Sequence, residues 1–219
     1  MIEYYRDEIT LKLGDARELI DTVPDGSVDL IFTDPPYIKR YIHLYKWLGL
    51  EGPRVLKPDG FLMAYAGIYW KEIVMNYLGV RLEYFWDFVL ENGGNSPIMW
   101  KRKIISRYKS ILAYIKPNSK ALPRINVLSL WRGGGKDKRY HVWGQDESSA
   151  RYFIDCFSRE GDTILDPFTG GGTVPAICKK LKRKCIAFEK DEETYISARE
   201  RIEQTQEFIS HEQYEMELR

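Results

Sequence analysis

Short apolar runs alternate with longer amphipathic segments along most of the chain. The short runs are rich in β-branched and aromatic residues, which favours strands, and the longer segments repeat their apolar positions at helical spacing. Strands are predicted near residues 9–13, 28–33, 60–66, 83–90, 110–115, 163–166 and 184–189, and helices near residues 16–22, 43–56, 69–79, 147–159, 173–182 and 192–209. This alternation predicts an α/β fold: one doubly wound, mostly parallel sheet of about seven strands with helices on both faces.

The tetrapeptide Asp34-Pro35-Pro36-Tyr37 directly follows the predicted strand at 28–33. The two prolines end that strand, because neither donates a ladder hydrogen bond and each fixes φ. The Asp34 carboxylate and the Pro35 carbonyl can accept hydrogen bonds from an amino group, and the Tyr37 ring can stack on a flat ring. The tetrapeptide therefore predicts a site for a flat, amino-bearing ring, although Asp and Pro are also common in ordinary strand-ending turns.

A second candidate site lies between the predicted strand at 163–166 and the helix that begins near Thr173. Three consecutive glycines, 170–172, allow a tight turn and a close approach of a ligand to the backbone at a helix N-terminus. Pro175 stands at the third glycine position, so a strict dinucleotide fingerprint is absent. Glu189 ends the next predicted strand, 23 residues after Asp166. An acidic residue about 20 residues further on can bind ribose hydroxyls. We interpret this region as a nucleoside site and Glu189 as its ribose ligand, the alternative for Glu189 being a solvated acidic turn.

Together, Asp34-Pro35-Pro36-Tyr37 and Asp166-Pro167-Phe168-Thr169-Gly170-Gly171-Gly172-Thr173 resemble the two signature segments of the amino-methyltransferases that use S-adenosylmethionine. These enzymes methylate the exocyclic nitrogen of adenine or cytosine in nucleic acid. The order, with the tetrapeptide first, is similar to that of the β class of DNA methyltransferases. The resemblance extends from about residue 13 to residue 202, and it implies a Rossmann-like methyltransferase fold, S-adenosylmethionine as cofactor and DNA as partner.

The resemblance also implies roles for individual residues. The implied catalytic residues are Asp34, Pro35, Pro36 and Tyr37. The implied cofactor-binding residues are Asp15, Ala16, Asp34, Gln145, Asp166, Phe168, Gly170, Gly172, Thr173 and Glu189. Gly170 and Thr173 would present backbone donors. For Asp15, contact with the cofactor and simple capping of the helix that begins at Ala16 are equal alternatives.

The chemistry of the tetrapeptide favours direct methyl transfer. Two acceptors, Asp34 and the Pro35 carbonyl, would draw the amino nitrogen toward tetrahedral geometry and stabilise the positive charge that develops on it. The three cysteines, Cys156, Cys178 and Cys185, lie in no nucleophile loop, so ring-carbon methylation through a thiolate is not expected. A target base in a duplex would have to be flipped out, with Tyr37 replacing part of its stacking.

Adenine N6 is the leading hypothesis for the methylated atom. An Asp at the first position of the tetrapeptide is commoner among adenine enzymes of the family, whereas Ser is commoner among cytosine enzymes. Cytosine N4 and an amino group of an RNA base are the alternatives, and a noncatalytic DNA-binding module is more remote. A nicotinamide-dependent dehydrogenase would explain the glycine loop and leave the segment 34–37 without a role.

Phosphate binding must come from local basic groups, because the net charge is only +1. The candidates are Lys101, Arg102, Lys103, Arg107, Arg132, Lys136 and Arg139, together with a cluster at 179–184 beside the predicted cofactor helix. The alternative for this last cluster is a solvated helix end that the helix dipole favours. Residues 116–144 form the only segment large enough for target recognition. Because this segment is short, we predict that specificity comes from a short site, a homodimer or a partner protein.

Length and composition favour a single domain over residues 1–219, with the candidate recognition segment as a short insertion. No apolar run is long enough to span a bilayer, no secretory signal is recognisable, and the few cysteines suit core positions in a reducing compartment. We therefore expect a cytoplasmic protein, associated with the nucleoid through its DNA partner. We expect no membrane partner and no metal ion.

Overall fold

The computed structural model describes residues 2–91, 98–132 and 147–206. The strands in these ranges are β1 (Ile2–Arg6), β2 (Ile9–Leu13), β3 (Val28–Thr33), β4 (Leu56–Ala66), β5 (Glu83–Glu91), β6 (Ile98–Met99), β7 (Ile104–Ile105), β8 (Tyr108–Ile115), β9 (Leu130–Arg132), β10 (Thr163–Asp166) and β11 (Lys184–Glu189). The α-helices are α1 (Ala16–Leu19), α2 (His43–Val55), α3 (Lys71–Leu78), α4 (Glu147–Phe157), α5 (Thr173–Lys180) and α6 (Glu192–Gln204). Short 3-10 turns cover Ile20–Thr22, Lys39–Tyr41, Ile68–Trp70 and Trp100–Arg102.

Nine strands form one sheet in the order β1-β2-β11-β10-β3-β4-β8-β5-β9. Five adjacent strands in the middle of the sheet run parallel to one another: β2, β11, β10, β3 and β4. β8 runs antiparallel to both β4 and β5, and β1 is antiparallel to β2. All seven predicted strands belong to this sheet. The prediction missed β1 and β9 at the sheet edges and the separate β6–β7 ribbon, because these strands are short or expose most of their side chains and so lack a strong apolar signal.

Helices cover both faces of the sheet, which confirms the doubly wound prediction. Residues of α4, α5 and α6 pack with one face of the strands, for example Phe153, Ile177 and Ile202. Residues of α1, α2 and α3 pack on the opposite face, for example Leu48 and Val74. The three cysteines are buried, as predicted for core positions. None of the helices in the described ranges is both long and apolar enough to cross a membrane.

The central strands β3 and β10 are buried on both faces, which explains their nearly continuous apolar sequence. The chain moves from β3 to its neighbour β4 on one side, and from β10 to β11 on the other side. The strand order therefore reverses between β3 and β10. In open α/β sheets, ligands bind outside the carboxyl ends of the strands at such a reversal point.

Candidate active site

The reversal point brings the two sequence motifs together. Leu30 pairs with Ile164 and Ile31 pairs with Leu165, so β3 and β10 end side by side. The hydroxyl of Thr33, the last residue of β3, donates a hydrogen bond of 2.7 Å to Oδ1 of Asp166, the last residue of β10. Asp34 follows Thr33 directly. Segments more than 130 residues apart in sequence thus form one continuous rim at the carboxyl edge of the sheet.

The tetrapeptide at 34–37 forms a compact group of acceptors and one aromatic ring. The Tyr37 hydroxyl donates a hydrogen bond to Oδ1 of Asp34. Burial raises the pKa of Tyr37 well above its usual value, and the negative charge of Asp34 raises it further, so Tyr37 remains a proton donor. The Tyr37 side chain packs on Gly67, where an added Cβ would lie 3.2 Å from the Tyr37 Cβ. Gly67 follows β4, and its missing side chain leaves room for the ring.

Tyr45 holds the backbone of the tetrapeptide, a role that the sequence analysis did not assign. Its buried hydroxyl donates a hydrogen bond of 2.8 Å to the carbonyl oxygen of Tyr65 and lies 3.3 Å from the carbonyl oxygen of Pro35. A carbonyl oxygen has two lone pairs, so the Pro35 oxygen keeps an acceptor position for a ligand. Tyr45 lies on the buried face of α2, and helical spacing alone would mark it as a core residue.

Asp166 is buried, and its ionisation is sensitive to its surroundings. Burial raises the pKa of its carboxyl to about 7, although hydrogen bonds from Thr33 and from the backbone N–H of Phe168 lower it in part. The charge of nearby Asp34 raises it further. The rim therefore holds one carboxyl group that changes charge near neutral pH.

The glycine loop between β10 and α5 is fixed by Glu189. Oε2 of Glu189 accepts a hydrogen bond of 2.9 Å from the Gly170 N–H, and Oε1 accepts one each from the N–H groups of Lys190 and Asp191. The Gly170 N–H is therefore already used in this structure, and its contact with a cofactor stays a prediction. A carboxylate offers roughly four acceptor positions, so Glu189 keeps one for a ribose hydroxyl.

A buried network of ionic and polar contacts from α6 and α4 stabilises the start of α5. The Arg201 guanidinium, on α6, donates a hydrogen bond of 3.0 Å to the Thr173 hydroxyl and one of 3.2 Å to Oε2 of Glu147. It also lies 3.4 Å from the Gly171 carbonyl oxygen. Burial alone would raise the pKa of Glu147, but the bonds and charges of Lys180 and Arg201 outweigh burial and lower it. The sequence analysis missed Arg201. It lies on the buried face of α6, three residues after the buried Ala198.

Gly172 is predicted to be required for the loop on two separate grounds. Its φ is +73°, and an added Cβ would lie 3.0 Å from backbone atoms of Ala198 in α6. We expect Gly172→Ala to lower the free energy of unfolding by about 2–4 kcal/mol, from backbone strain and overpacking together. Gly26→Ala is the matched control, because Gly26 has φ +60° and open space around it. Equal losses of stability in urea titrations of the two variants would contradict the role assigned to the Ala198 contact.

Asp15 caps α1, which confirms one of the two alternatives. Its side chain accepts a hydrogen bond from the Arg17 N–H at 2.9 Å and pairs with the Arg17 guanidinium. The hydrogen bond from the Arg17 side chain is the main reason that the pKa of Asp15 falls to about 2. Ala16 is the buried first residue of α1. The carboxylate of Asp15 is already paired, and contact of Asp15 or Ala16 with a cofactor stays a prediction.

The aromatic residue of the second motif is held by α2. The Phe168 ring meets the Trp47 ring edge to face, at a centroid distance of 5.8 Å. Gln145, the remaining predicted cofactor contact, lies outside the described residues. The cradle as described combines a glycine loop with four carboxyl groups, those of Asp34, Asp166, Glu189 and Asp15, at neighbouring strand ends. These acceptor groups suit a cofactor that carries positive charge and ribose hydroxyls.

The predicted nucleic-acid contacts fall into separate places. Lys101, Arg102, Lys103 and Arg107 are exposed on or next to the β6–β7 ribbon. Arg132 ends β9 and pairs with Glu91 at 2.9 Å. Lys136 and Arg139 lie outside the described residues. The described part of the candidate recognition segment, residues 116–132, runs along the body of the protein and ends in β9, so its role in recognition stays a prediction.

Part of the basic cluster at 179–184 is engaged in ion pairs within the protein. The Lys179 side chain is 8% exposed and pairs with Asp7 at 3.0 Å. Lys180 pairs with Glu147. The Arg183 side chain is 7% exposed and pairs with Asp155 at 2.9 Å. Lys182 and Lys184, by contrast, are half exposed and pair at the surface with Glu160 at 3.8 Å and Glu8 at 3.5 Å. A local charge count does not reveal that Lys179 and Arg183 are buried in ion pairs.

Comparison with known proteins agrees with the fold and the motifs. The sequence matches the family model of N6/N4 methyltransferases, the DNA methylase family, over residues 28–200. It is 29% identical over 237 aligned positions to the type II methyltransferase M.BamHI of Bacillus amyloliquefaciens, covering 85% of this chain and 55% of that protein. It is 26% identical to the type II methyltransferase M.HpaI of Haemophilus parainfluenzae, covering 87% of this chain and 73% of that protein. The chain thus spans about half to three quarters of the length of these relatives.

A solved structure shows the same fold. The PvuII DNA methyltransferase, which is cytosine-N4-specific, superimposes with a TM-score of 0.75 at 21% identity, over 96% of this chain and 90% of that one. This confirms the Rossmann-like methyltransferase fold. The family match covers most of the chain, and the chain therefore belongs to the N6/N4 DNA methylase family. As a member of this family, the protein uses S-adenosylmethionine as its cofactor.

Proposed function

We propose that this protein transfers a methyl group from S-adenosylmethionine to the N6 amino group of adenine in DNA. The observation that carries the proposal is the Thr33–Asp166 hydrogen bond, which joins the tetrapeptide rim to the cofactor rim at one point of the sheet. A methyl donor held at the glycine loop and an amino group held at Asp34 would therefore share one crevice. Asp, rather than Ser, at position 34 supports adenine over cytosine.

The tetrapeptide would act on the target base through two acceptors and a ring. Asp34 and the Pro35 carbonyl would each accept a hydrogen bond from the exocyclic amino group, which frees the nitrogen lone pair from the ring. The negative charge on Asp34 would stabilise the positive charge that develops on that nitrogen. Tyr37 would hold the base against its ring, and its hydroxyl bond to Asp34 orients the carboxylate. A base in a duplex must be flipped to reach this pocket.

The cofactor would lie between the glycine loop and the ends of β2, β10 and β11. When bound, S-adenosylmethionine supplies an activated methyl group. Asp166 would face its positive charge, Glu189 would accept from a ribose hydroxyl, and Phe168 would pack against it. The first turn of α5 would contribute the Thr173 N–H, which has no acceptor within the helix. Direct transfer then requires only that the amino nitrogen and the methyl carbon lie about 3–3.5 Å apart.

Cofactor binding is expected to release a proton from Asp166. Its pKa of about 7 means that the carboxyl is largely protonated below pH 7. A cation beside it favours the ionised form, so affinity should rise about tenfold from pH 6 to pH 8. Calorimetric titration with S-adenosylmethionine in two buffers of different ionisation enthalpy measures the proton release. Asp166→Asn should lose this component of proton release, and an identical proton count and pH profile in both proteins would contradict the assignment.

The methylated nucleoside decides between adenine and cytosine. Expression in a bacterial host that lacks DNA methyltransferases, followed by digestion of its DNA and mass spectrometry, should show N6-methyladenine. Detection of N4-methylcytosine instead would leave the transfer chemistry unchanged and make cytosine the target base. Cytosine is the second candidate, because the fold is similar to that of the cytosine-N4-specific PvuII enzyme. Methylated nucleosides in RNA alone would overturn the assignment of DNA as substrate.

A further inference from the structure

The β6–β7 ribbon stands apart from the main sheet and carries a highly exposed tryptophan. Ile98 pairs with Ile105 and Met99 with Ile104, and the 3-10 turn Trp100–Arg102 closes the ribbon. Trp100 is 79% exposed, the highest value among the large apolar side chains in the described ranges. Ile98, Ile104 and Ile105 are exposed as well. A cluster of exposed apolar side chains marks a binding surface.

Basic residues accompany these apolar side chains. Lys101, Arg102 and Lys103 follow Trp100 directly, and Arg107 lies just beyond β7. In the described parts of the chain, Lys101, Lys103 and Arg107 have no carboxylate partner. An aromatic side chain next to several basic ones suits a single-stranded or unstacked segment of nucleic acid, because the ring stacks on a base while the cations contact phosphates.

The tip of the ribbon contacts a turn that lies close to the tetrapeptide. The Arg102 guanidinium lies 4.5 Å from the centroid of the Tyr69 ring. Tyr69 belongs to the turn Ile68–Trp70, which follows Gly67, the residue on which Tyr37 packs. Two contacts therefore connect the tip of the ribbon to the ring that would hold the target base.

We propose that Trp100 is a positioning residue that stacks on the bases exposed when the target nucleotide leaves the duplex. This inference rests on the proposed function and adds a residue outside both motifs. Lys101 and Lys103 bind the flanking phosphates and set the ribbon on the DNA. Trp100 stabilises the open duplex because its ring replaces stacking lost around the flipped base.

The test compares paired and unpaired targets. The site methylated by the wild-type protein is first mapped by sequencing, and two oligonucleotide duplexes are then made, one fully paired and one with an abasic position opposite the target base. Trp100→Ala should lower kcat/KM on the paired duplex on the order of 10- to 100-fold, the range that one stacking contact supports. It should lower kcat/KM less than about threefold on the duplex whose target is already unpaired.

Matched variants separate stacking from other effects. Trp100→Phe keeps an aromatic ring and should retain most activity. Trp86→Ala removes another exposed tryptophan, on β5 and outside the ribbon, and should behave like the wild type on both duplexes. Affinity for S-adenosylmethionine and the thermal midpoint should stay unchanged in Trp100→Ala, since the side chain lies on the surface.

Two results would overturn the role of Trp100 while leaving the proposed function intact. One is wild-type activity of Trp100→Ala on the paired duplex. The other is an equal loss on both duplexes, which would make Trp100 a general contact unrelated to base opening. If the wild-type protein itself methylates no DNA, the proposed function fails, and the proposal for Trp100 fails with it.

Discussion

Replacing Asp34 with asparagine is expected to lower kcat for methyl transfer by about 100- to 1,000-fold, the effect typical of removing one preorganised group that stabilises transition-state charge. Asparagine has the same shape but carries no negative charge toward the amino nitrogen. The affinity for S-adenosylmethionine should change far less, since the glycine loop and Glu189 remain. Single-turnover kinetics with excess enzyme would measure the loss in the chemical step.

The Asp34 variant has a second expected effect, on Asp166. The charge of Asp34 raises the pKa of Asp166, so its removal should move the pH dependence of cofactor binding to lower pH. Asp25→Asn is a suitable control, because Asp25 lies on the surface, away from both motifs, and is 76% exposed. Near wild-type kcat in Asp34→Asn would show that the carboxylate does not serve the chemistry.

Replacing Tyr37 with alanine is expected to lower kcat/KM about 10- to 100-fold, because base–aromatic stacking contributes in this range. Tyr37→Phe keeps the ring and its packing on Gly67, and it loses only the hydroxyl that bonds to Asp34. We therefore expect Tyr37→Phe to lose less than about fivefold.

Steady-state kinetics on duplex DNA, with thermal unfolding as a check on folding, would distinguish the two roles of Tyr37. If Phe is as damaging as Ala, the hydroxyl and its bond to Asp34 matter more than stacking. If both variants are fully active, Tyr37 does not hold the base.

The central fold could be predicted from the sequence because its strands are buried on both faces. β3 and β10 each read as an apolar run that ends in an acidic motif, and both strands lie where the pattern places them. The edge strand β1 exposes most of its side chains, so its sequence resembles a polar segment. β9 has only three residues, and its place in the sheet depends on pairing with β5.

The positions of the two motifs were also predictable, whereas the partners of their residues were not. Local sequence indicated that Asp34 follows a strand and that Asp166 ends one. Nothing local indicated that Thr33 bonds to Asp166, that Glu189 takes the Gly170 N–H, or that Arg201 supports Thr173. These contacts join segments far apart in the chain, and only the sheet order brings them together.

The most direct test of a shared methyl-transfer site is incubation of the purified protein with methyl-labelled S-adenosylmethionine and, separately, duplex DNA, single-stranded DNA and RNA. Digestion and mass spectrometry then identify the labelled nucleoside. We expect N6-methyladenine from DNA, and no label from Asp34→Ala under the same conditions. Label on a ring carbon, label retained in Asp34→Ala, or no transfer to DNA despite measured cofactor binding would contradict the role assigned to the Asp34 and Asp166 segments.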